Sequence, residues 1–177
     1  GAAPPITIAD EDWFYVSVND GDHLSTLNNP EQGSYVRNRL RRSQTALYVQ
    51  KHNRYVSLTA RNQKEVLISK PVAASASSLE LNLDASRGRV RVGLAAADPI
   101  MTYGDTPSTA AHLFYSESGR LNNFLEGFSF DDCEPVLVDS TCHAVEFKGR
   151  SLEELHNRNV VVLLEVIDSD VYGFRFN

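Results

Sequence analysis

The sequence predicts an all-β protein, an antiparallel two-sheet β-sandwich of jelly-roll or concanavalin-like type with one short helical turn. Three observations support this fold class. Short apolar segments with period-2 alternation recur at a spacing of about 8–12 residues, as strands do in sandwiches. Clusters of Asp, Asn, Gly and Ser separate these segments and indicate turns. Only residues 151–156 carry a helix-initiation signature.

The C-terminal residues 159–176 are predicted to form two strands that close the sandwich. The apolar run at residues 160–167 is too β-branched for a stable helix and indicates a buried strand. The Asp-Ser-Asp sequence at residues 168–170 predicts a turn. Three aromatic residues then alternate with other residues, which predicts a strand with an aromatic core face. They are Tyr172, Phe174 and Phe176.

The upstream strands are predicted from shorter patterns. Residues 13–18 (WFYVSV) form the first strand, and the polar residues 23–34, with a proline and a glycine, indicate a linker. The alternating segments 79–83 and 90–94 are joined through Arg87-Gly88, which predicts a hairpin. Further strands are predicted at residues 36–40, 46–49, 55–58, 66–68, 128–130 and 145–147.

The single helical turn is predicted from a capping box. Ser151 is a favoured N-cap, because its hydroxyl accepts a hydrogen bond from a backbone N–H of the first turn. Glu154, three residues later, bonds back to the N–H of the cap, so a turn that ends near His156 is expected.

Residues 98–126 interrupt the regular strand spacing. Prolines and glycines recur there, so the segment is not one long strand. Loops of this length inside a compact domain are usually functional or contain further structure, and we treat the segment as an insertion. Three of its four aromatic residues are candidates for stacking on a sugar or for packing on the sandwich. They are Tyr103, Phe114 and Tyr115.

The composition argues against two classes of partner. The net charge of −6 disfavours nucleic acids, which bind to dense basic surfaces. No apolar run approaches the ~20 residues that a membrane-spanning helix needs, so no membrane partner is expected.

With 177 residues, 42% of them hydrophobic, the chain is long and apolar enough for one domain with a substantial core.

The two cysteines leave two alternatives open. Cys133 and Cys142 pair if they flank a hairpin-like connection, and otherwise they are two buried free thiols. Two cysteines are too few for a disulfide framework, and no CxxC or Cys/His array indicates zinc.

From residue 54 onward the order of motifs resembles that of a known family. The matching segments are residues 54–60 (RYVSLTA), 70–72 (KPV), 78–94 (SLELNLDASRGRVRVGL), 127–135 (GFSFDDCEP), 139–147 (DSTCHAVEF), 151–155 (SLEEL) and 160–176 (VVVLLEVIDSDVYGFRF). Together they resemble the C-terminal β-sandwich module of bacterial secreted glycosidase-like or sialidase-like proteins, whose front half is a five-bladed β-propeller. The 98–126 insertion departs from this family, in which the corresponding connection is short.

The resemblance implies a role and a setting. Residues 13–24 (WFYVSVNDGDHL) resemble the last strand and exit of the propeller, which implies a propeller-exit strand and linker at residues 1–34 and a sandwich domain at residues 35–177. The implied partner is a preceding β-propeller domain of the same protein, and the implied location of that protein is secreted or periplasmic. The module is then a non-catalytic, carbohydrate-associated accessory domain of a glycoside hydrolase. The alternative is a purely structural sandwich that packs against the propeller and binds no ligand.

Catalysis by the chain itself is not expected. Glycosidases need two carboxyl groups across a sugar ring. Asp131 and Asp132 are adjacent and point to opposite faces of an extended chain, and Asp168 and Asp170 border the predicted turn, so neither pair suggests a shared cleft. We expect no cofactor, but these four aspartates are candidate ligands for a structural Ca²⁺ ion. The scattered histidines and the lack of a GxSxG segment indicate no catalytic triad.

Trp13 and Tyr15 have two interpretations. Exposed aromatic rings stack on the faces of sugars, so these residues are candidates for binding a glycan. The other interpretation is packing at the junction with the preceding domain.

Overall fold

The computed structural model describes residues 4–19, 43–74, 77–97 and 123–177. All strand pairs in these ranges are antiparallel, and they form two sheets accompanied by one 3₁₀ turn. The predicted all-β, antiparallel two-sheet class of a β-sandwich with one short helical turn is therefore confirmed. The predicted strand at residues 36–40 and most of the 98–126 insertion lie outside the described residues.

The contacts divide the chain into two compact units, Gly1–His52 and Asn53–Asn177. Unit 1 holds a three-stranded sheet in the order β1-β2-β3. Its strands are β1 (Ile6–Ile8), β2 (Glu11–Asn19) and β3 (Ser43–Lys51). The division falls after His52 and not after the predicted residue 34, because β3 pairs with β2 along its whole length.

Unit 2 holds a six-stranded sheet built around its last strand. The strands are β4 (Leu58–Ile68), β5 (Val72–Ala74), β6 (Leu79–Asp84), β7 (Arg89–Ala96), β8 (Asp139–Ala144) and β9 (Arg158–Phe176). The order is β4-β9-β6-β8, and β5 and β7 also pair with β9. The C-terminal strand therefore contacts every strand of this sheet except β8.

Strand β9 is continuous, so the prediction of a turn at residues 168–170 is wrong. Asp168 instead adopts a positive φ of 44° within the strand. Aspartate tolerates this left-handed conformation better than most residues, and an irregularity of this kind bends a strand without ending it. The two strands predicted at the C-terminus are thus one bent strand of 19 residues.

The predicted hairpin between β6 and β7 is also wrong. The two strands lie end to end along the same edge of β9, since Asp84 pairs with Asp170 and Arg89 with Ile167. Residues 85–88 lie opposite Asp168 and Ser169, and they form an irregular, bulge-like segment between β6 and β7. Gly88 is required there, because an added Cβ would lie 1.9 Å from the carbonyl oxygen of Ile167.

The main core of unit 2 lies on one face of this sheet. Seven of the residues predicted to lie in the core are buried. Leu81, Leu83, Val90, Val92 and Val166 belong to this main core, and Val161 and Leu163 are buried on the other face. Phe174 and Phe176 are only partly buried and pack against the core. Tyr172 has no residue opposite it on β6, because the pairing of β6 with β9 shifts register between Asn82 and Leu83. The prediction that all three aromatic residues are buried together is therefore wrong.

Residues 123–157 cover the core largely without regular strands. Residues 128–130 and 145–147, which are among the described residues, do not form the predicted strands. An isolated bridge joins Cys133 to Phe147. Phe128 and Phe147 are nevertheless buried and meet edge to face at 5.0 Å between ring centroids. The predicted capping box is confirmed: Ser151 and Glu154 cap the 3₁₀ helix Leu152–Leu155.

Both faces of β9 are buried in its first half. The residues on the second face form a smaller cluster with Ala95 and Phe130, which includes Val161 and Leu163. Phe124 meets Phe130 edge to face there, with 5.0 Å between ring centroids. Burial on two faces explains why this segment lacks the polar alternation of a half-exposed strand.

Candidate functional site

Residues from four of the motif segments meet at the bend of β9. Asp139 on β8 pairs with Asp84 on β6, Asp84 pairs with Asp170 on β9, and Asp170 pairs with Thr59 on β4. Paired positions on neighbouring strands project their side chains to the same face of a sheet. We call these four residues the aspartate row.

Asp170 is the best-supported carboxylate of the aspartate row. Nη2 of Arg61 donates to its two oxygens at 2.8 and 2.7 Å, the hydroxyl of Thr59 donates to Oδ1, and Arg87 lies 3.8 Å away. The side chain is 14% exposed. Its burial opposes ionisation, but the hydrogen bonds from Thr59 and Arg61 and the positive charges nearby outweigh it and lower the pKa of Asp170.

Arg54 joins the other end of the row to β6 and β9. Its Nη2 donates to Oδ1 of Asp139 at 2.7 Å and to the carbonyl of Leu83 at 2.9 Å, and Nε donates to Asn82 at 2.9 Å. The guanidinium also lies over the ring of Tyr172, 4.6 Å from its centroid. With a side chain only 8% exposed, Arg54 is a fixed structural element of the sheet.

The remaining carboxylates of the bend accept hydrogen bonds from nearby groups. The hydroxyl of Ser86, at 2.6 Å, and then its N–H lower the pKa of Asp84. The N–H of Asn62 donates to Oδ1 of Asp168 at 2.7 Å. Every carboxylate at the bend thus accepts hydrogen bonds, and these contacts stabilise the four strands β4, β6, β8 and β9 where their pairing is irregular.

The four predicted metal ligands fall at two separate places. Asp168 and Asp170 lie at the bend, whereas Asp131 accepts from Arg91 at 2.8 Å. Asp132 accepts from the hydroxyl and the N–H of Ser129, which lower its pKa. Within the described ranges, no group of three or more His, Cys, Asp or Glu residues is placed to hold a metal ion. The calcium site stays a prediction.

A second ionic cluster lies further along β9, on the same face of the sheet as the aspartate row, and was not anticipated. Glu165 is buried, accepts from Nε and Nη2 of Arg91 at 2.9 and 2.7 Å, and lies 3.3 Å from Nζ of Lys64. The signal for it was a single glutamate within the apolar run of β9, since a buried charge requires an opposite charge nearby. Its partner cannot be deduced from local sequence, because Arg91 is 74 residues away.

In unit 1, Trp13 and Tyr15 lie on an apolar face. Trp13 pairs with Ile6 and Val49, and Tyr15 pairs with Leu47. We call these five residues the aromatic face. Tyr15 is 59% exposed and Ile6 54%, and Leu47 and Val49 are also exposed. The indole N–H of Trp13 donates to Oε2 of Glu11 at 3.0 Å.

The opposite side of the same sheet is also apolar. Val16, Val18 and Tyr48 lie on it, and all three are exposed, Tyr48 at 60%. A three-stranded sheet of this size thus presents large apolar side chains to solvent on both faces, whereas a half-buried sheet normally exposes polar ones.

Unit 1 also contains an Asp–His pair that sequence reasoning missed. Asp12 is buried, accepts from the hydroxyl of Thr7 at 2.9 Å, and has Oδ1 2.8 Å from Nδ1 of His52. The two residues are 40 positions apart, and only the pairing of β2 with β3 brings them together.

Two further sets of predicted residues are the aromatic residues of the insertion and the cysteines. Tyr103, Phe114 and Tyr115 lie outside the described residues. Both cysteines are free thiols: Cys133 is buried, as expected for a free thiol, whereas Cys142 is exposed, which corrects that expectation. Burial raises the pKa of Cys133.

No protein-family model matches the chain, and neither the curated proteins nor the solved structures contain a match. Among the helices of the described residues, none is long and apolar enough to cross a membrane.

Proposed function

We propose that this chain is a non-catalytic β-sandwich accessory module that docks on a preceding β-propeller domain of a secreted or periplasmic glycoside hydrolase-like protein. The observation that carries the proposal is the sheet of unit 1, which exposes large apolar side chains on both faces. The resemblance of the sequence motifs to propeller-associated modules supports the choice of partner.

A sheet with two apolar faces fits the interior of a stacked β-architecture. In a propeller, sheets pack face to face around a central channel, so a blade buries both of its sides. Residues such as Tyr15 and Tyr48, which lie on opposite faces, would both be covered in that setting. Burying each of them would contribute roughly 1.5–3 kcal/mol to docking.

The composition of the aromatic face favours a protein partner over a glycan. The cross-strand neighbours of Trp13 and Tyr15 are the aliphatic residues Ile6, Val49 and Leu47. A sugar site needs hydrogen-bonding groups beside its stacking rings, and Glu11, two residues before Trp13 on the same strand, already accepts from the indole N–H. Association with carbohydrate therefore rests on the motif resemblance, and the purely structural module is the second candidate.

The experiment uses the complete reading frame that encodes this chain. A variant with Tyr15→Lys and Leu47→Lys places charge on the aromatic face, and Asn159→Lys, at an exposed polar position of a strand in unit 2, is the control. Calorimetry of the full protein is expected to show that the double variant melts separately from the preceding domain, while the control melts with it. A reading frame without a β-propeller ahead of this chain, or a double variant that melts as the wild type does, contradicts the proposal.

A further inference from the structure

A cleft of about 270 Å³ opens beside β4 in unit 2. It is lined by the aliphatic residues Leu58, Ala60, Val66, Leu67 and Val166 together with Thr59 and Glu65. Ala60 and Val166 belong to the main core. The floor of the cleft is thus the hydrophobic core itself, reached from the side of the sheet.

The cleft results from an irregularity in β4. Ala60 pairs with Ser169 and Lys64 with Ile167, so residues 61–63 lie opposite Asp168 alone. Extra residues of this kind bend a strand away from its partner. The walls accordingly come from both sides of the irregularity, Leu58 to Ala60 and Glu65 to Leu67.

Glu65 is the ionisable residue among those that line the cleft. Its Oε1 accepts from the side-chain amide of Gln63, and no cation lies within ion-pair distance of it among the residues that the structure describes. Four other carboxylates of this sheet differ, since Glu80, Asp139, Glu165 and Asp170 each contact an arginine. An uncompensated negative charge therefore adjoins an aliphatic floor.

We propose that this cleft binds an aliphatic chain that ends in a cation, the chemistry shared by a free alkylammonium ion and a lysine side chain. The methylene groups cover Ala60, Leu67 and Val166, and the cation pairs with Glu65. No strand in the described ranges pairs with the outer edge of β4, so an extended segment that carries the lysine can also add main-chain hydrogen bonds there. This site is independent of the docking of unit 1.

The test is an NMR titration of the full chain labelled with ¹⁵N. The probes are n-pentylammonium chloride, sodium pentanoate and the blocked peptide Ac-Thr-Val-Lys-Val-Thr-NH₂. Pentylammonium is expected to shift the amides of residues 58–60 and 65–67, and pentanoate to leave them unchanged. The peptide distinguishes the sources: at least tenfold tighter binding than the amine assigns the site to a lysine in an extended segment, and weaker binding assigns it to a free amine.

Two variants and a control accompany the titration. Glu65→Gln is expected to weaken pentylammonium binding about fivefold, as the loss of an exposed ion pair does. Leu58→Ser, which removes an exposed wall of the cleft, should weaken it as well, whereas Glu146→Gln, at an exposed carboxylate elsewhere in unit 2, should not. Absence of shifts with pentylammonium, equal binding of pentanoate, or unchanged affinity in Glu65→Gln overturns the proposal.

Discussion

The guanidinium of Arg61 on β4 donates through Nη2 to both carboxylate oxygens of Asp170 on β9, at 2.8 and 2.7 Å. This contact joins the two strands where both are irregular. Removing the charge of Asp170 weakens the hydrogen bonds that it accepts from Thr59 and Arg61, at a side chain that is only 14% exposed. We expect Asp170→Asn to lower the free energy of unfolding by about 2–3 kcal/mol, as measured by urea denaturation. Asp131→Asn is the control.

That control tests whether position matters. Asp131 also contacts an arginine, but its side chain is 90% exposed, and an exposed ion pair contributes at most about 1 kcal/mol. Equal losses in the two variants would show that the bend of β9 has no special role.

The pH dependence of stability follows from the lowered pKa of Asp170. In the unfolded chain an aspartate has a pKa of about 3.9, so the folded state binds the proton less readily. The stabilisation is complete above that value and is lost as the pH falls through the lower folded pKa. Asp84 and Asp132, whose pKa values are also lowered, act in the same direction. We expect the free energy of unfolding to fall below about pH 4, and to fall less steeply in Asp170→Asn. If the free energy of unfolding falls below pH 4 as steeply in the variant as in the wild type, this prediction is contradicted.

Arg54 depends on its planar guanidinium. The guanidinium donates to Asp139, Asn82 and the carbonyl of Leu83. It also lies over the ring of Tyr172. A lysine ammonium is a single non-planar group, so it cannot reproduce these donors and the stacking together. Arg54→Lys is expected to cost about 1–2 kcal/mol of unfolding free energy in chemical denaturation.

Arg158→Lys provides the comparison for Arg54. Arg158 is exposed at the start of β9, where such a change costs less than about 0.5 kcal/mol. If charge alone mattered at position 54, both lysine variants would match the wild type.

Gly88 is predicted to tolerate no side chain. A Cβ at this position would lie 1.9 Å from the carbonyl oxygen of Ile167 and 2.8 Å from that of Asp168, and both are backbone atoms of β9. Gly88→Ala should therefore cost more than about 3 kcal/mol or prevent folding, as judged by circular dichroism and thermal melting. Gly173→Ala is the matched control on β9, because a Cβ there meets nothing within 4 Å. A stable Gly88→Ala variant would mean that residues 85–88 do not follow β9 in this register.

Part of the fold was accessible from local patterns. The β-branched run of β9 predicted a buried strand, and Val161 and Leu163 are fully buried. The capping box at Ser151 was equally readable, since its hydrogen bonds join residues three apart. The site was harder to predict than the strands. The motif segments could be recognised one by one, but no local pattern indicated that Asp84, Asp139 and Asp170 are neighbours on three strands.

The sequence by itself determined the all-β class, the position of most described strands and much of the main core, because alternation and β-branching act within a few residues. Only the tertiary structure decided that β9 continues through Asp168, that β6 and β7 share one of its edges, and that β3 pairs with β2. The reason is physical. The hydrogen bonds of a sheet join residues far apart in the chain, and a strand pattern specifies which face is apolar without specifying which strand lies beside it.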